Sequence, residues 1–238
     1  MGEDGVVLRH PLSSRIMHFV NMVCWYVLFA TGALVYFKLV GGSEAALLMK
    51  IHILFGLILT VVVLSYVVMA PDRVFLFLQE ILNWDRDTIA WWKNFGGYPY
   101  RFLGKTRFYR YIEKFWFAKP GCPPQSKYNA GQKFLGILVV FSLAVLGASG
   151  WLLFLFRQAL GKDGVWLFFN AHVWIAIVVT VFVTFVHIPL VIINWPDFVS
   201  MFRIGSGTVP VSWAREHNPK WFEREVVELA ESMKSGKP

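Results

Sequence analysis

GVWLFFNAHVWIAIVVTVFVTFVHIPLVIINW, residues 164–195, holds no Asp, Glu, Lys or Arg, yet it carries two histidines, His172 and His187. A helix needs about 20 apolar residues to cross a bilayer core, so this run is long enough to span. Polar side chains inside such a span are costly and mark functional positions by default. Working outward, uncharged stretches recur at 16–37, 51–71 and 134–156. The first two open on histidines of their own, His18 and His52. Across all 238 residues the chain is 56% hydrophobic and 16% charged, with a mean hydropathy of +0.52. That is too apolar for an ordinary soluble domain. The sequence therefore predicts an all-α membrane protein, a single 1–238 domain. Its four transmembrane helices are expected at about 16–38, 50–71, 133–156 and 164–195.

The first run is long enough to be a span rather than a cleaved leader. The two cysteines, Cys24 and Cys122, sit in unlike surroundings, and there is no CxxC or CxxCH. A disulfide and a covalently attached haem are both disfavoured.

Basic residues set the orientation. Of 23 lysines and arginines, 19 fall in the N-terminal tail, the 72–133 connection and the C-terminal tail. The opposite side holds only Lys38, Lys50, Arg157 and Lys162. An excess of Lys and Arg marks cytoplasmic loops, so both termini, the loop 72–132 and the tail 197–238 are expected in the cytoplasm. Anionic headgroups account for the net charge of +8 without any nucleic acid.

With that orientation the histidines fall into two depths. His52 and His172 lie toward the outer face, His18 and His187 toward the inner face. At a rise of 1.5 Å per residue, His172 and His187 are about 22 Å apart along one axis. Two pairs of imidazoles at two depths suit two stacked, non-covalent b haems, each held by histidine on both faces. Glycine lets a backbone approach such a group closely. Gly32 follows His18 by 14 residues, Gly136 and Gly150 are 14 apart on the histidine-free third helix, and Gly56 lies one turn beyond His52. The His172–His187 spacing is 15, which overshoots four turns by about 60°. A π-bulge or a bend near Pro189 would correct that register.

The loop 72–132 interleaves Trp84, Trp91, Trp92, Tyr98, Tyr100, Tyr109, Tyr111 and Trp116 with basic residues. Such sequence suits the membrane interface or a protein contact. KYNAGQK (127–133) runs straight into the third helix. Asn129, Gly131 and Gln132 could hydrogen-bond a quinone there, although polar caps at helix starts are routine. His10 and His217 are expected at exposed or interface positions.

SRIMHF (14–19), the His52–Gly56 step, KYNAGQK, the paired histidines of the last helix and SWAREHNPKWF (212–222) together resemble the gamma subunit, a di-haem cytochrome b, of membrane-bound formate dehydrogenases. The resemblance implies a four-helix bundle enclosing two haems in the bacterial inner membrane, both termini cytoplasmic. It implies His52 and His172 on the outer haem iron and His18 and His187 on the inner one. Asn129, Gly131, Gln132 and His187 would line a site for menaquinone or ubiquinone. Formate would be oxidised on a catalytic (alpha) subunit with molybdenum or tungsten. An iron–sulfur (beta) subunit would pass electrons to this chain, an electron-transfer subunit rather than the site of formate chemistry. Two features depart from the family's usual form: a longer aromatic loop and a His172–His187 spacing one residue greater. Close alternatives are a cytochrome b serving a hydrogenase or a thiosulfate or polysulfide reductase. A transporter or plain anchor is a distant one, because helices I–III contain no acidic residue.

Overall fold

The computed structural model describes residues 5–202 and 206–228. Four helices are long and apolar enough to cross a membrane: α1 (Leu12–Tyr36), α2 (Gly42–Met69), Ala130–Leu155 and the interrupted helix Arg157–Ile193. Between the second and third lie α3 (Pro71–Leu82), α4 (Arg86–Asn94), α5 (Tyr98–Leu103) and α6 (Tyr109–Ile112). The third span is accordingly α7, and the fourth is α8 (Arg157–Phe182), a π-helical turn (Val183–His187) and α9 (Ile188–Ile193). A short α10 (Trp195–Phe202) follows. Strands β1 (Val6–Leu8) and β2 (Thr208–Pro210) pair antiparallel, Val7 opposite Val209. The tail forms α11 (Val211–His217) and α12 (Pro219–Trp221), which continues as a π-helical turn, Phe222–Val227. The end of the tail, 229–238, lies outside the described residues.

The helices extend beyond the uncharged stretches. Helix α2 starts at Gly42 and takes in Glu44 and Lys50. Charged residues at the end of a span reach polar surroundings, so the backbone need not stop where the apolar run stops. The fourth span begins at Arg157, but Gly161 at φ +63° breaks it, and the continuous helix starts just beyond.

Contacts divide the chain into two compact units: residues 1–9, 76–137 and 208–238, and residues 10–75 and 138–207. The second unit contains all four membrane histidines. Side-chain hydrogen bonds tie its helices, as expected where lipid supplies no hydrophobic drive for helix to seek helix. Trp25 Nε1 donates to Thr180 Oγ1 at 2.8 Å, and Trp151 Nε1 donates to Thr60 Oγ1 at 3.0 Å. The Tyr26 and Thr184 hydroxyls meet at 2.9 Å, and those of Ser14 and Tyr66 at 3.2 Å. Leu57, Val61, Leu64 and Val68 of α2 stay exposed, as lipid-facing side chains do.

The turn before Pro189 is π-helical. Proline has no N–H to give and its ring crowds the carbonyl four residues back, here Phe185. The Ile188 N–H reaches five residues back, to the Val183 carbonyl. One extra residue is thereby absorbed, and a 15-residue spacing spans the turns that 14 would fill in a plain α-helix.

In the first unit the two motifs of the resemblance interlock. Asn218 Nδ2 donates to the carbonyls of Ser126 at 2.6 Å and Lys127 at 3.2 Å, and the Lys220 N–H donates to the Gln125 carbonyl at 3.2 Å. Lys220 Nζ also meets Asp85 at 2.6 Å and Asp87 at 2.5 Å. Asp85 caps α4 through the Thr88 N–H at 2.7 Å. Burial raises the Asp85 carboxyl, but the bonds from Lys220 and Thr88 outweigh it and hold the group well below the usual carboxylate range. Arg9, fully buried, lies over the rings of Trp221 and Trp213, its Cζ 4.9 and 5.5 Å from their centroids. Cation–π contacts of this kind contribute about 0.5–2 kcal/mol each and fasten the N-terminal strand to the tail.

Candidate haem-binding site

His52 on α2 and His172 on α8 come together in the second unit. Their ring centroids are 6.1 Å apart and the rings are inclined by 56°. Two imidazoles bound through Nε2 to one metal at about 2.0–2.1 Å each would place their centroids about 6 Å apart, so this spacing fits a shared iron. His18 lies on α1 and His187 ends the π-helical turn of the fourth span, both in the same unit. His18 is edge-on to Phe202, with ring centroids at 5.7 Å. His52 and His172, expected at one depth, thus lie ring to ring.

Each member of the first pair is held from behind by a hydroxyl. Thr31 Oγ1 lies 3.1 Å from His52 Nδ1, and Ser149 Oγ lies 3.0 Å from His172 Nδ1. The residue after each hydroxyl is a glycine that leaves room for the ring. A Cβ on Gly32 would come within 3.2 Å of His52 Cε1, and one on Gly150 within 3.2 Å of His172 Cε1. No such support reaches His18, whose buried Nδ1 has no hydrogen-bond partner among the described residues.

Glycine spacing alone does not reveal these hydroxyls, although the sequence carries a signal for them. VLFATG (27–32) and VLGASG (145–150) are one pattern, V-L-x-A-(T/S)-G, on two different helices. The 14-residue glycine period selects Gly32 and Gly150. The same period also selects Gly136, which is placed elsewhere. A Cβ on Gly136 would run into Ile81, 2.7 Å from its Cγ2, so that glycine lets α3 pack on α7. A Cβ on Gly56 would meet, among the described residues, only Leu28 Cδ2 of α1 at 4.0 Å, and no histidine.

This contrast makes a prediction. Gly150→Val should push the His172 ring aside and Gly32→Val the His52 ring, each weakening or abolishing the site. Gly56→Ala should leave it unchanged and add about 0.5–1 kcal/mol of helix stability. Haem content and the visible spectrum of each purified variant check this; an intact spectrum in Gly150→Val would contradict it.

Asn129 and Gln132 form a reciprocal cap on α7. The Gln132 N–H donates to Asn129 Oδ1 at 2.9 Å, and the Asn129 N–H donates to Gln132 Oε1 at 3.0 Å. Gly131 lies against the Trp91 ring, 3.2 Å from where its Cβ would be. These three belong to the first unit, and His187 belongs to the second. His10, expected at an exposed or interface position, is buried within the chain, with Nε2 3.9 Å from Asp197 Oδ1. Pro11, the next residue, is the N-cap of α1. His217 stacks on Trp213, with centroids 4.7 Å apart.

Residues 9–203 match the prokaryotic cytochrome b561 family, over most of the 238-residue chain. The chain belongs to that family. It is therefore a multi-pass membrane cytochrome that binds b-type haem and transfers electrons. Such cytochromes are often subunits of larger oxidoreductase complexes. No curated protein matches the chain. The spans of the cytochrome carry His18, His52, His172 and His187, side chains that are costly to leave unpaired inside a membrane.

Proposed function

We propose that this cytochrome is the di-haem electron conduit of a quinone-reducing formate dehydrogenase complex. His52 and His172 hold one haem iron; His18 and His187 hold the other. The observation that carries the haem reading is the 6.1 Å approach of the His52 and His172 rings. Bound haem supplies reversible one-electron chemistry, and ligation by imidazole on both faces leaves no open position for oxygen. The protein fixes the rings, keeps water out and sets the potential.

The concentration of Lys and Arg in the tails and in 72–132 supports cytoplasmic termini in a bacterial inner membrane. Electrons would enter at the outer pair, His52–His172, from an iron–sulfur subunit that serves a molybdenum or tungsten subunit. They would leave the inner pair, His18–His187, for menaquinone or ubiquinone. For the quinone contact we assign Asn129, Gly131 and Gln132. The cap engages both side-chain oxygens, so a hydrogen bond to a quinone carbonyl would come from amide N–H groups. Formate as the donor rests on the resemblance of KYNAGQK and SWAREHNPKWF to the formate dehydrogenase gamma subunit. A second reading, hydrogen as the donor, is favoured by the family, which includes the cytochrome b of Ni–Fe hydrogenases.

A single experiment separates these. Membranes containing the cytochrome and its co-purifying subunits are reduced with formate or with hydrogen, and the difference spectrum is followed before and after a quinone analogue is added. Formate should raise the α-band of a b haem and the quinone should bleach it. Reduction by hydrogen but not by formate transfers the chain to the hydrogenase reading. Absence of the α-band even with dithionite removes the haem reading altogether.

A further inference from the structure

We propose that Thr31 and Ser149 are positioning residues that fix the tautomer and the potential of the His52–His172 site alone. The inference rests on the reading of these two histidines as axial ligands, and it concerns what stands behind them.

A hydroxyl has one proton to give and lone pairs to receive with. The Thr31 hydroxyl sits 2.7 Å from the Val27 carbonyl oxygen, and that of Ser149 sits 2.6 Å from the Val145 carbonyl oxygen. Two oxygens at that distance repel unless a proton lies between them, so each hydroxyl proton is committed to its own helix. Toward imidazole Nδ1, at 3.1 and 3.0 Å, each oxygen can then only accept. Nδ1 must therefore carry the ring proton in both His52 and His172. The remaining nitrogen, Nε2, is left bare, which is the form a metal needs.

The arrangement is made twice. Val27, Thr31 and Gly32 on α1 do for His52 what Val145, Ser149 and Gly150 on α7 do for His172. The first residue takes the hydroxyl proton, the second takes the imidazole proton, and the glycine lets the ring lie close. Four helices thus contribute to one site, α2 and α8 the rings, α1 and α7 their supports. The other site is built differently, for His18 Nδ1 is buried without a partner among the described residues. An acceptor behind a ligating imidazole orients the ring and raises its basicity. A more basic ligand favours the oxidised iron, so the supported pair holds its haem at a lower potential than the same ligands would without the hydroxyls.

The test uses the full-length cytochrome with its co-purifying subunits. Ser149→Ala and Thr31→Val are made singly and together, with Ser149→Thr and Thr31→Ser as conservative controls. Redox titration of the haems and electron paramagnetic resonance of the oxidised protein are the readouts. The expected result is an upward shift of one midpoint potential and a changed low-spin signal for that haem, with the other haem unmoved. The double variant should shift further, and both conservative variants should restore the wild-type values. Should Ser149→Ala lose the haem entirely, Ser149→Thr must keep it. Loss in both, or two wild-type potentials and signals in Ser149→Ala and Thr31→Val, overturns the inference. The ligand reading fails separately: it fails if His172→Ala still carries two six-coordinate haems.

Discussion

His52→Ala and His172→Ala are each expected to remove one b haem, and the same one, halving the haem content while the second haem keeps its spectrum. His18→Ala and His187→Ala should each remove the other. The rings of His52 and His172 stand 6.1 Å apart, centre to centre, so no third described residue is needed to complete an axial pair between them. On the proposed ligation, alanine would leave the iron with one histidine, and in an apolar span no other side chain is at hand to replace the imidazole. Electron flow through the chain should fall to near zero in all four variants, because the proposed conduit has its two haems in series. His217→Ala should keep both haems, since that ring stacks on Trp213 and bonds its carbonyl at 3.1 Å. Pyridine haemochrome analysis gives haem per chain, and the split Soret and α-bands tell which haem has gone. If His52→Ala and His172→Ala deplete different haems, the pairing is wrong even though the ligands are right.

Much of this was open to a reader of the sequence, and the reasons differ residue by residue. The four spans are legible because a bilayer imposes one length on every apolar run. The histidines stand out against those runs because polar groups are rare there. Even the π-turn was foreshadowed, since a 15-residue spacing beside Pro189 leaves a 60° error that something must absorb. The glycines were harder. Periodicity says which residues share a face of one helix, but not what stands opposite that face. Gly150 meets His172 and Gly136, at the same phase, meets Ile81. The opposing element in the second case is α3, whose placement no periodicity in α7 records. Asn129 and Gln132 illustrate a different ambiguity, for amides beside a helix start serve a cap and a ligand with the same atoms. Lys133 was hidden altogether: one more lysine in a basic loop looks solvated, and only the packed elements around it say otherwise.

That lysine carries the second large effect. Lys133 is 1% exposed, with Nζ donating to the Asn83 carbonyl at 2.7 Å and lying 3.8 Å from Glu80 Oε1. Thr88 Oγ1, at 3.5 Å, is a weaker acceptor. Glu80 in turn takes a hydrogen bond from Ser126 and lies 3.7 Å from Arg224. Removing one partner of a buried pair leaves the other charge in a poor solvent, at a typical cost of about 3–5 kcal/mol. Glu80→Ala strips the counter-charge from Lys133 and should therefore cost several kcal/mol in the unfolding free energy of the full chain. The cost should fall on the unit that joins KYNAGQK to the tail, and haem content should be kept unless that unit unfolds. Replacing both members, Glu80→Leu with Lys133→Met, removes the desolvation burden together with the attraction, and it should be far milder than Glu80→Ala. Residues in direct contact are expected to be non-additive in this way, with coupling of about 0.5–3 kcal/mol. Unfolding of the detergent-solubilised chain, followed by tryptophan fluorescence, reads the effect because Trp91 and Trp221 are buried in the same unit. Additive single and double losses would show that Glu80 and Lys133 stabilise the fold independently and not as a pair.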